Sequence, residues 1–205
     1  MERLLNLSYE HKLSHLGSCI TVLPILEEIY NNKMENDIVV LSSGHAGLAQ
    51  YVVIEEKSNG KINAEDLLND MGIHPVRDPK NGIHVSTGSL GCGILVAVGL
   101  ALADKNKNIY CVISDGECAE GSVWEALSFC NNHKLTNLII HVNINGYSAY
   151  DSVDREYLEN KLKVFLPSII IHQTKNPDFL GGLNAHYCKI KNVDEIKMIN
   201  KTLEV

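Results

Sequence analysis

Four short runs of aliphatic and β-branched residues, separated by segments with helical spacing, constrain the fold of this chain more than any other feature. The apolar runs are residues 37–41, 108–113, 137–142 and 168–173. Helical patterns occupy 2–12, 20–31, 46–58, 64–70, 90–103, 121–133, 154–163 and 192–201. Strands that are apolar along their whole length are typical of a parallel sheet with helices on both faces. The sequence therefore predicts a doubly wound, mainly parallel α/β fold.

Length and charge narrow the class of protein further. The 205 residues have the size of one domain, so we expect 1–205 to form a single domain. A net charge of -7 disfavours nucleic acid and anionic membranes as partners, because both carry phosphate charges that an acidic surface repels. No apolar run reaches the roughly 20 residues that cross a bilayer, and the first residues lack the apolar core of a signal peptide. Together with six cysteines without a Cys-x-x-Cys pair, several of them inside apolar stretches, this predicts reduced cysteines in the core and a cytoplasmic location.

Polar clusters follow three of the predicted strands at the point where each strand ends. They are Ser43-Gly44-His45, Ser114-Asp115-Gly116 and Asn143-Ile144-Asn145. Because ligands bind outside the carboxyl ends of parallel strands, we expect the clusters to converge on one site. The carboxylate of Asp115 and the amide oxygen of Asn145 suit Mg²⁺, which proteins often hold with one or two carboxylates plus substrate phosphates. On spacing alone, Asp115-Gly116 is more often a simple turn after a strand than a metal site.

Two further features have the composition of a binding site. The turn Gly88–Gly93 opens an apolar helix, and such turns either cradle phosphate or let backbones pack closely. The long loop 72–88 precedes it, and loops of this length in compact domains are usually functional. Histidines that fall in turns or loops are His15, His45, His74 and His84. They lack zinc-ligand spacing but suit phosphate contact and proton transfer near neutral pH.

In this order, the motifs resemble the N-terminal, diphosphate-binding domain of transketolases. Three blocks resemble the family's histidine-bearing turns: Ser14-His15-Leu16-Gly17, Ser43-Gly44-His45-Ala46 and Gly72-Ile73-His74-Pro75. Residues 86–93 are similar to its Thr-Gly-Ser-Leu-Gly-Gln-Gly signature. Residues 114–126 closely follow its pattern Gly-Asp-Gly-Glu-x-x-Glu-Gly-x-x-Trp-Glu-Ala. The matches cover about residues 10 to 150 and form a very specific signal.

The resemblance implies thiamine diphosphate and Mg²⁺ as cofactors. It implies metal ligation by Asp115, Asn145 and the backbone carbonyl of Tyr147. The implied cofactor contacts are Gly88, Leu90, Asp115, Gly116, Glu117, Asn145 and His186, the last on a weaker match. The implied catalytic residues are His15, His45 and His74, which would line the substrate channel, and Glu120 would lie at a subunit interface.

Two residues depart from the family pattern next to the implied metal ligands. Ser114 replaces the first Gly of Gly-Asp-Gly and is expected to narrow the diphosphate site. Asn143 replaces the Asp of Asp-x-Asn and removes a negative charge. Both positions implied to ligate the metal, Asp115 and Asn145, are kept.

The resemblance also implies a reaction: transfer of a two-carbon ketol unit between sugars or sugar phosphates. After about residue 150 the chain is shorter than the family pattern, and the pyrimidine-binding domain with its activating glutamate is absent from the sequence. We therefore expect the partner to be a C-terminal transketolase-like subunit and the assembly to be a heterotetramer. Arg77 and Lys80 are candidates for a substrate phosphate, although solvated loop charges explain them as well.

Other activities stay open at this point. The alternatives are another thiamine diphosphate enzyme subunit, of the decarboxylase, oxo-acid dehydrogenase or deoxyxylulose phosphate synthase type, and a degenerate module that binds the cofactor without catalysis. Three histidines in the implied channel favour ketol transfer. Ser114, Asn143 and the shortened region after about 150 favour the degenerate module.

Overall fold

Helices and strands alternate along the chain as the apolar pattern predicts. The computed structural model describes residues 1–148, 151–177, 180, 182 and 187–203. In that part of the chain the elements are α1 (Glu2–Glu10), α2 (Leu16–Asn32), β1 (Ile38–Leu41), α3 (Gly47–Lys57), α4 (Ala64–Met71), α5 (Gly93–Ala103), β2 (Ile109–Ser114), α6 (Gly121–His133), β3 (Leu138–Ile144), α7 (Arg155–Phe165), β4 (Ile170–Gln173) and α8 (Val193–Leu203). The predicted α/β fold is confirmed.

The four strands form one parallel sheet in the order β1-β2-β3-β4. The register aligns Leu41 with Val112, Val112 with His141, and Asn143 with His172. All strands therefore present their carboxyl ends at the same edge. The strand order follows the chain order, so the described strands contain no point at which that order reverses.

Two apolar cores lie on opposite faces of the sheet. In β2, Cys111 and Ile113 pack into a core with residues of α5, α6 and α7, whereas Val112 packs into a core with residues of α1, α2, α3, α4 and α8. Successive strand residues point to opposite faces, so a strand covered on both sides is apolar at every position. This arrangement explains the continuous apolar runs and confirms that helices cover both faces.

The cysteines are all free, in agreement with the expected reduced state. Four are buried, but Cys92 is exposed and Cys188 is half-buried, so the expectation of core positions is wrong for these two. Among the helices of the described residues, none combines the length and the apolar character that crossing a membrane requires.

Candidate active site

A cavity of about 210 Å³ lies at the carboxyl edge of the sheet. Its lining consists of His15, Ser18, His45, His74, Gly88, Leu90, Ser114, Asp115, Gly116, Asn145, Tyr147 and Ser148. The three polar clusters that follow β1, β2 and β3 thus contribute to one cavity, together with the turn before α2 and the long loop before α5. The parallel sheet brings them there because its strand ends are neighbours.

Asp115 and Asn145 lie side by side at the ends of β2 and β3. Asp115 accepts hydrogen bonds from the backbone N–H of Gly116 at Oδ1 (3.0 Å) and of Gly146 at Oδ2 (2.7 Å). The amide oxygen of Asn145 accepts from the backbone N–H of Tyr147 at 3.0 Å. Both side chains are buried. The two predicted ligand residues are therefore held on adjoining backbone turns.

Burial raises the pKa of Asp115 to about 6, although the N–H groups of Gly146 and Gly116 lower it in part. A carboxylate in this environment gains from a nearby cation, because the cation favours the charged form that burial disfavours. The available donors are one carboxylate, one amide oxygen and one backbone carbonyl, which are hard oxygen ligands. This donor set fits Mg²⁺, whose remaining positions water and phosphate oxygens usually fill.

Glu117 lies behind the cavity wall and holds three loops together. Its side chain is completely buried. Oε1 accepts from the hydroxyl of Ser42 (2.6 Å) and from the N–H of Gly91 (3.0 Å), and Oε2 accepts from the N–H of Ser114 (3.1 Å). Burial raises the pKa of Glu117, and these donors partly offset that effect. Glu117 is not among the lining residues of the cavity, although it hydrogen-bonds to the backbone of Ser114, which is.

Three of the four loop histidines reach the cavity. His15 adopts a left-handed backbone conformation (φ 64°) at the start of α2, which is uncommon for a residue with a Cβ, and its ring centroid lies 5.3 Å from that of His45. The ring of His74 packs against Gly88, where an added Cβ would lie 3.1 Å from His74 Cδ2. His84, which also lies in a loop, is absent from the lining and lies in a separate cleft.

The two departures from the family pattern are built into the local hydrogen bonding. Ser114 lines the cavity, and its hydroxyl accepts from the N–H of Glu117 at 3.3 Å. Asn143 donates to the hydroxyl of Thr21 (2.9 Å), which itself donates to the carbonyl of Gly17 (2.9 Å). Because the Thr21 proton is engaged at Gly17, position 143 must supply a donor, which an ionised Asp lacks.

The remaining candidates from the sequence are Arg77, Lys80 and His186. Arg77 and Lys80 are exposed and do not line the cavity, and His186 lies outside the described residues. The sequence reasoning missed Ser18 and Ser148 in the lining. For Ser18 a signal existed, because it lies three residues after His15 at the start of an apolar helix and therefore near the same face.

Comparisons with known proteins identify the family of the chain. Residues 15–168 match the family model "Transketolase, thiamine diphosphate binding domain". Human transketolase is 37% identical over 159 residues, which are 67% of this chain and 25% of that protein. An apulose-4-phosphate transketolase subunit from Phocaeicola vulgatus is 33% identical over 70% of this chain and 57% of its own length. The 6-deoxy-6-sulfo-D-fructose transketolase subunit SqwG of Clostridium sp. strain MSTE9 is 35% identical over 75% and 64%.

Solved structures show the same fold. The transketolase of Campylobacter jejuni superimposes with a TM-score of 0.74 at 24% identity, covering 99% of this chain and 41% of that one. The chain thus spans a quarter of the length of human transketolase and somewhat over half of the two bacterial subunits. Since the family model matches most of the sequence, the chain belongs to the transketolase family, as its thiamine diphosphate binding domain.

Proposed function

We propose that this chain is the diphosphate-binding subunit of a transketolase-type transferase, which moves a two-carbon ketol unit between sugars or sugar phosphates. The observation that carries the proposal is the cavity in which Asp115, Asn145 and Tyr147 meet three histidines from separate segments. When bound, thiamine diphosphate supplies the electron sink for the two-carbon carbanion. The chain's own residues bind, orient and handle protons around it.

The metal end of the site is assigned to Asp115, Asn145 and the carbonyl of Tyr147. Near neutral pH a carboxyl with a pKa of about 6 is mostly ionised and ready to ligate Mg²⁺. Gly116 and the short turn after it place backbone N–H groups next to Asp115, where a diphosphate would bind. Gly88 and Leu90, on the opposite segment of the lining, are assigned to the cofactor's rings.

The substrate end is assigned to His15, His45 and His74. Imidazoles donate and accept protons near neutral pH, which the hydroxyl and carbonyl groups of a sugar require during ketol transfer. The closeness of the His15 and His45 rings lets both act on one substrate. The three histidines support ketol transfer over the decarboxylase and dehydrogenase types.

A second polypeptide is part of the proposal. The cavity holds about 210 Å³, less than the roughly 300–1,000 Å³ of usual small-molecule pockets, and we infer that a second polypeptide completes the cofactor site. Two relatives bear the word "subunit" in their names. We propose a partner that carries the pyrimidine-binding domain, a heterotetramer of two chains of each kind, and a cytoplasmic location.

Calorimetry with Mg²⁺ and thiamine diphosphate tests the cofactor assignment. We expect weak binding to the chain alone and tight binding once the partner is added. Asp115→Ala should abolish the metal-dependent part, because it removes the carboxylate of the proposed ligand set. Asp194→Ala, in the exposed first turn of α8, is the matched control and should bind as wild type does.

A ketol-transfer assay on the complex distinguishes the alternatives. Transfer from a ketose donor to an aldose acceptor supports the transketolase assignment. Release of CO₂ from a 2-oxo acid without such transfer would favour a decarboxylase or dehydrogenase type. Cofactor binding without turnover on any donor would favour the non-catalytic module.

A further inference from the structure

Arg155 connects α7 to the ends of two strands beside the cavity. It is the first residue of α7, and its guanidinium donates through Nη1 to the backbone carbonyl of Thr174 (2.7 Å). Through Nη2 it donates to the backbone carbonyl of Asn145. These carbonyls lie just past β4 and β3, where the ladder of the sheet ends. One planar side chain thus ties both strand ends together.

The same guanidinium packs against the backbone of Gly146. Gly146 has a φ of 92°, a conformation that side-chain-bearing residues rarely adopt. A Cβ added at this position would lie 2.6 Å from Arg155 Nε and 2.8 Å from Nη2. The N–H of Gly146 donates to Asp115 Oδ2 at 2.7 Å. The turn between Asn145 and Tyr147 therefore lies between the Asp115 carboxylate and the Arg155 guanidinium.

We propose that Arg155 is a positioning residue for the metal site. This inference rests on the proposed function, because Asn145 and Tyr147 are ligands only if the metal binds there. By holding the carbonyl of Asn145 and filling the space beside Gly146, Arg155 fixes the backbone that aims the Asn145 amide oxygen and the Tyr147 carbonyl at the cavity. Its hydrogen bonds are charge-assisted, and it contacts the backbone of a ligand residue without ligating the metal itself, as residues that orient metal ligands do.

Sequence patterns do not reveal this role, since Arg155 belongs to no motif. It follows from the short connection between β3 and α7. The N–H of Val153 donates to the carbonyl of Gly146 (2.9 Å), and Tyr147 pairs with Ser152, so the segment folds back on itself. This return places Arg155 beneath the turn that the proposed ligands occupy.

The test uses this chain in complex with its partner subunit, with Mn²⁺ in place of Mg²⁺ and thiamine diphosphate in excess. Mn²⁺ binding is followed by electron paramagnetic resonance, and thermal unfolding is recorded without metal. Arg155→Met should raise the Mn²⁺ dissociation constant about 10–100-fold, the usual effect of losing a residue that orients metal ligands. Arg155→Lys should recover part of the affinity, because an ammonium group donates to one of the two carbonyls. Lys163→Met, which removes an exposed ion pair with Glu159 on the same helix, is the control and should leave Mn²⁺ affinity unchanged.

The outcomes separate this inference from the proposed function. If Arg155→Met melts at a lower temperature but binds Mn²⁺ as wild type does, Arg155 is only structural and the inference is overturned. If the wild-type complex itself binds no Mn²⁺ with thiamine diphosphate, the proposed function fails and this inference fails with it.

A second variant gives an answer even if Arg155→Met does not fold. Gly146→Ala places a methyl group against the guanidinium and should also weaken Mn²⁺ binding. In the double variant Gly146→Ala/Arg155→Lys, the free energy of Mn²⁺ binding should fall by less than the sum of the two single effects. Both changes disturb the same contact between Gly146 and the guanidinium of Arg155. Strictly additive losses would show that Gly146 and Arg155 act independently and would overturn the inference.

Discussion

Beneath the cavity, the carboxylate of Glu117 receives donors from three loops that are far apart in the sequence. Ser42 follows β1, Gly91 precedes α5 and Ser114 ends β2, and each donates to Glu117. A family signature marks this glutamate but does not reveal what it holds. By accepting these hydrogen bonds, the two carboxylate oxygens of Glu117 fix the relative positions of the segments that carry His45, Leu90 and Asp115.

Glu117→Gln should destabilise the chain by about 1–3 kcal/mol. Each carboxylate oxygen accepts a backbone N–H, so the amide nitrogen of Gln would face a second donor whichever way it turns. Urea unfolding at neutral pH measures the loss. Glu125→Gln, on the exposed face of α6, serves as the matched control. Equal stability of the two variants would contradict the role given to Glu117.

His74→Ala should slow ketol transfer by roughly 10²–10⁴-fold in the complex, the range expected for loss of a general acid or base. Cofactor affinity should change much less, because His74 is not among the proposed metal ligands. Steady-state kinetics and calorimetry on the same samples separate the two effects. His84→Ala is the control, since His84 lies outside the cavity. Unchanged turnover for His74→Ala would remove it from the proposed channel.

At the scale of elements, sequence pattern predicts the sheet well because burial on both faces leaves each strand apolar. The helix α2 begins at Leu16, earlier than the predicted residue 20, because the turn before it depends on the left-handed backbone of His15. The convergence of Asp115 and Asn145 follows from strand ends in a parallel sheet. The roles of Glu117 and Arg155 depend on contacts between distant segments, which no local pattern encodes.

A histidine pair joins β3 to the edge strand β4. His141 Nδ1 lies 2.8 Å from His172 Nε2, and the rings stack at 5.1 Å between centroids. Burial and the neighbouring His172 lower the pKa of His141 to about 4. Burial also lowers the pKa of His172, while Glu28 opposes that shift. The native environment therefore favours the neutral form of both rings.

Acidification should destabilise the fold through this pair. Between pH 6.5, the ordinary pKa of histidine, and about 4, the pKa of native His141, the side chain is protonated in the unfolded chain but neutral in the native one. The unfolded state therefore binds more protons in this range, and the free energy of unfolding decreases as the pH falls from about 6.5 towards about 4. His141→Leu should reduce the pH dependence of the unfolding free energy by about one proton between these values. Urea unfolding at several pH values from 4.5 to 7.5 measures the slope. His133→Leu, on the exposed end of α6, is the comparison, and an unchanged slope for His141→Leu would refute the assignment.

For the whole molecule, an apolar surface lies on α5, the helix that follows the loop of His74, Gly88 and Leu90. The helix α5 contains only Gly and apolar residues, yet Leu95, Val96 and Leu102 are each 45% exposed. Glu120, implied by the resemblance to be an interface residue, is exposed in this chain, and its side chain lies beside Gly91, two residues before α5. Helices that are apolar all round are normally buried. We therefore expect a partner to cover this surface.

The assembly prediction concerns the chain co-expressed with the product of the adjacent reading frame. We expect light scattering to show the mass of two chains of each kind, since two-fold symmetry is the commonest arrangement of soluble oligomers. Val96→Glu should disrupt that assembly, because it would bury a charge in the apolar surface of α5.

Glu120→Ala should weaken the assembly, since polar groups facing Glu120 would lose their partner. Val164→Glu tests the specificity of the effect, because Val164 is 78% exposed on α7 and lies outside this surface. A monodisperse monomer of this chain with full ketol-transfer activity would refute both the assembly and the need for a second polypeptide.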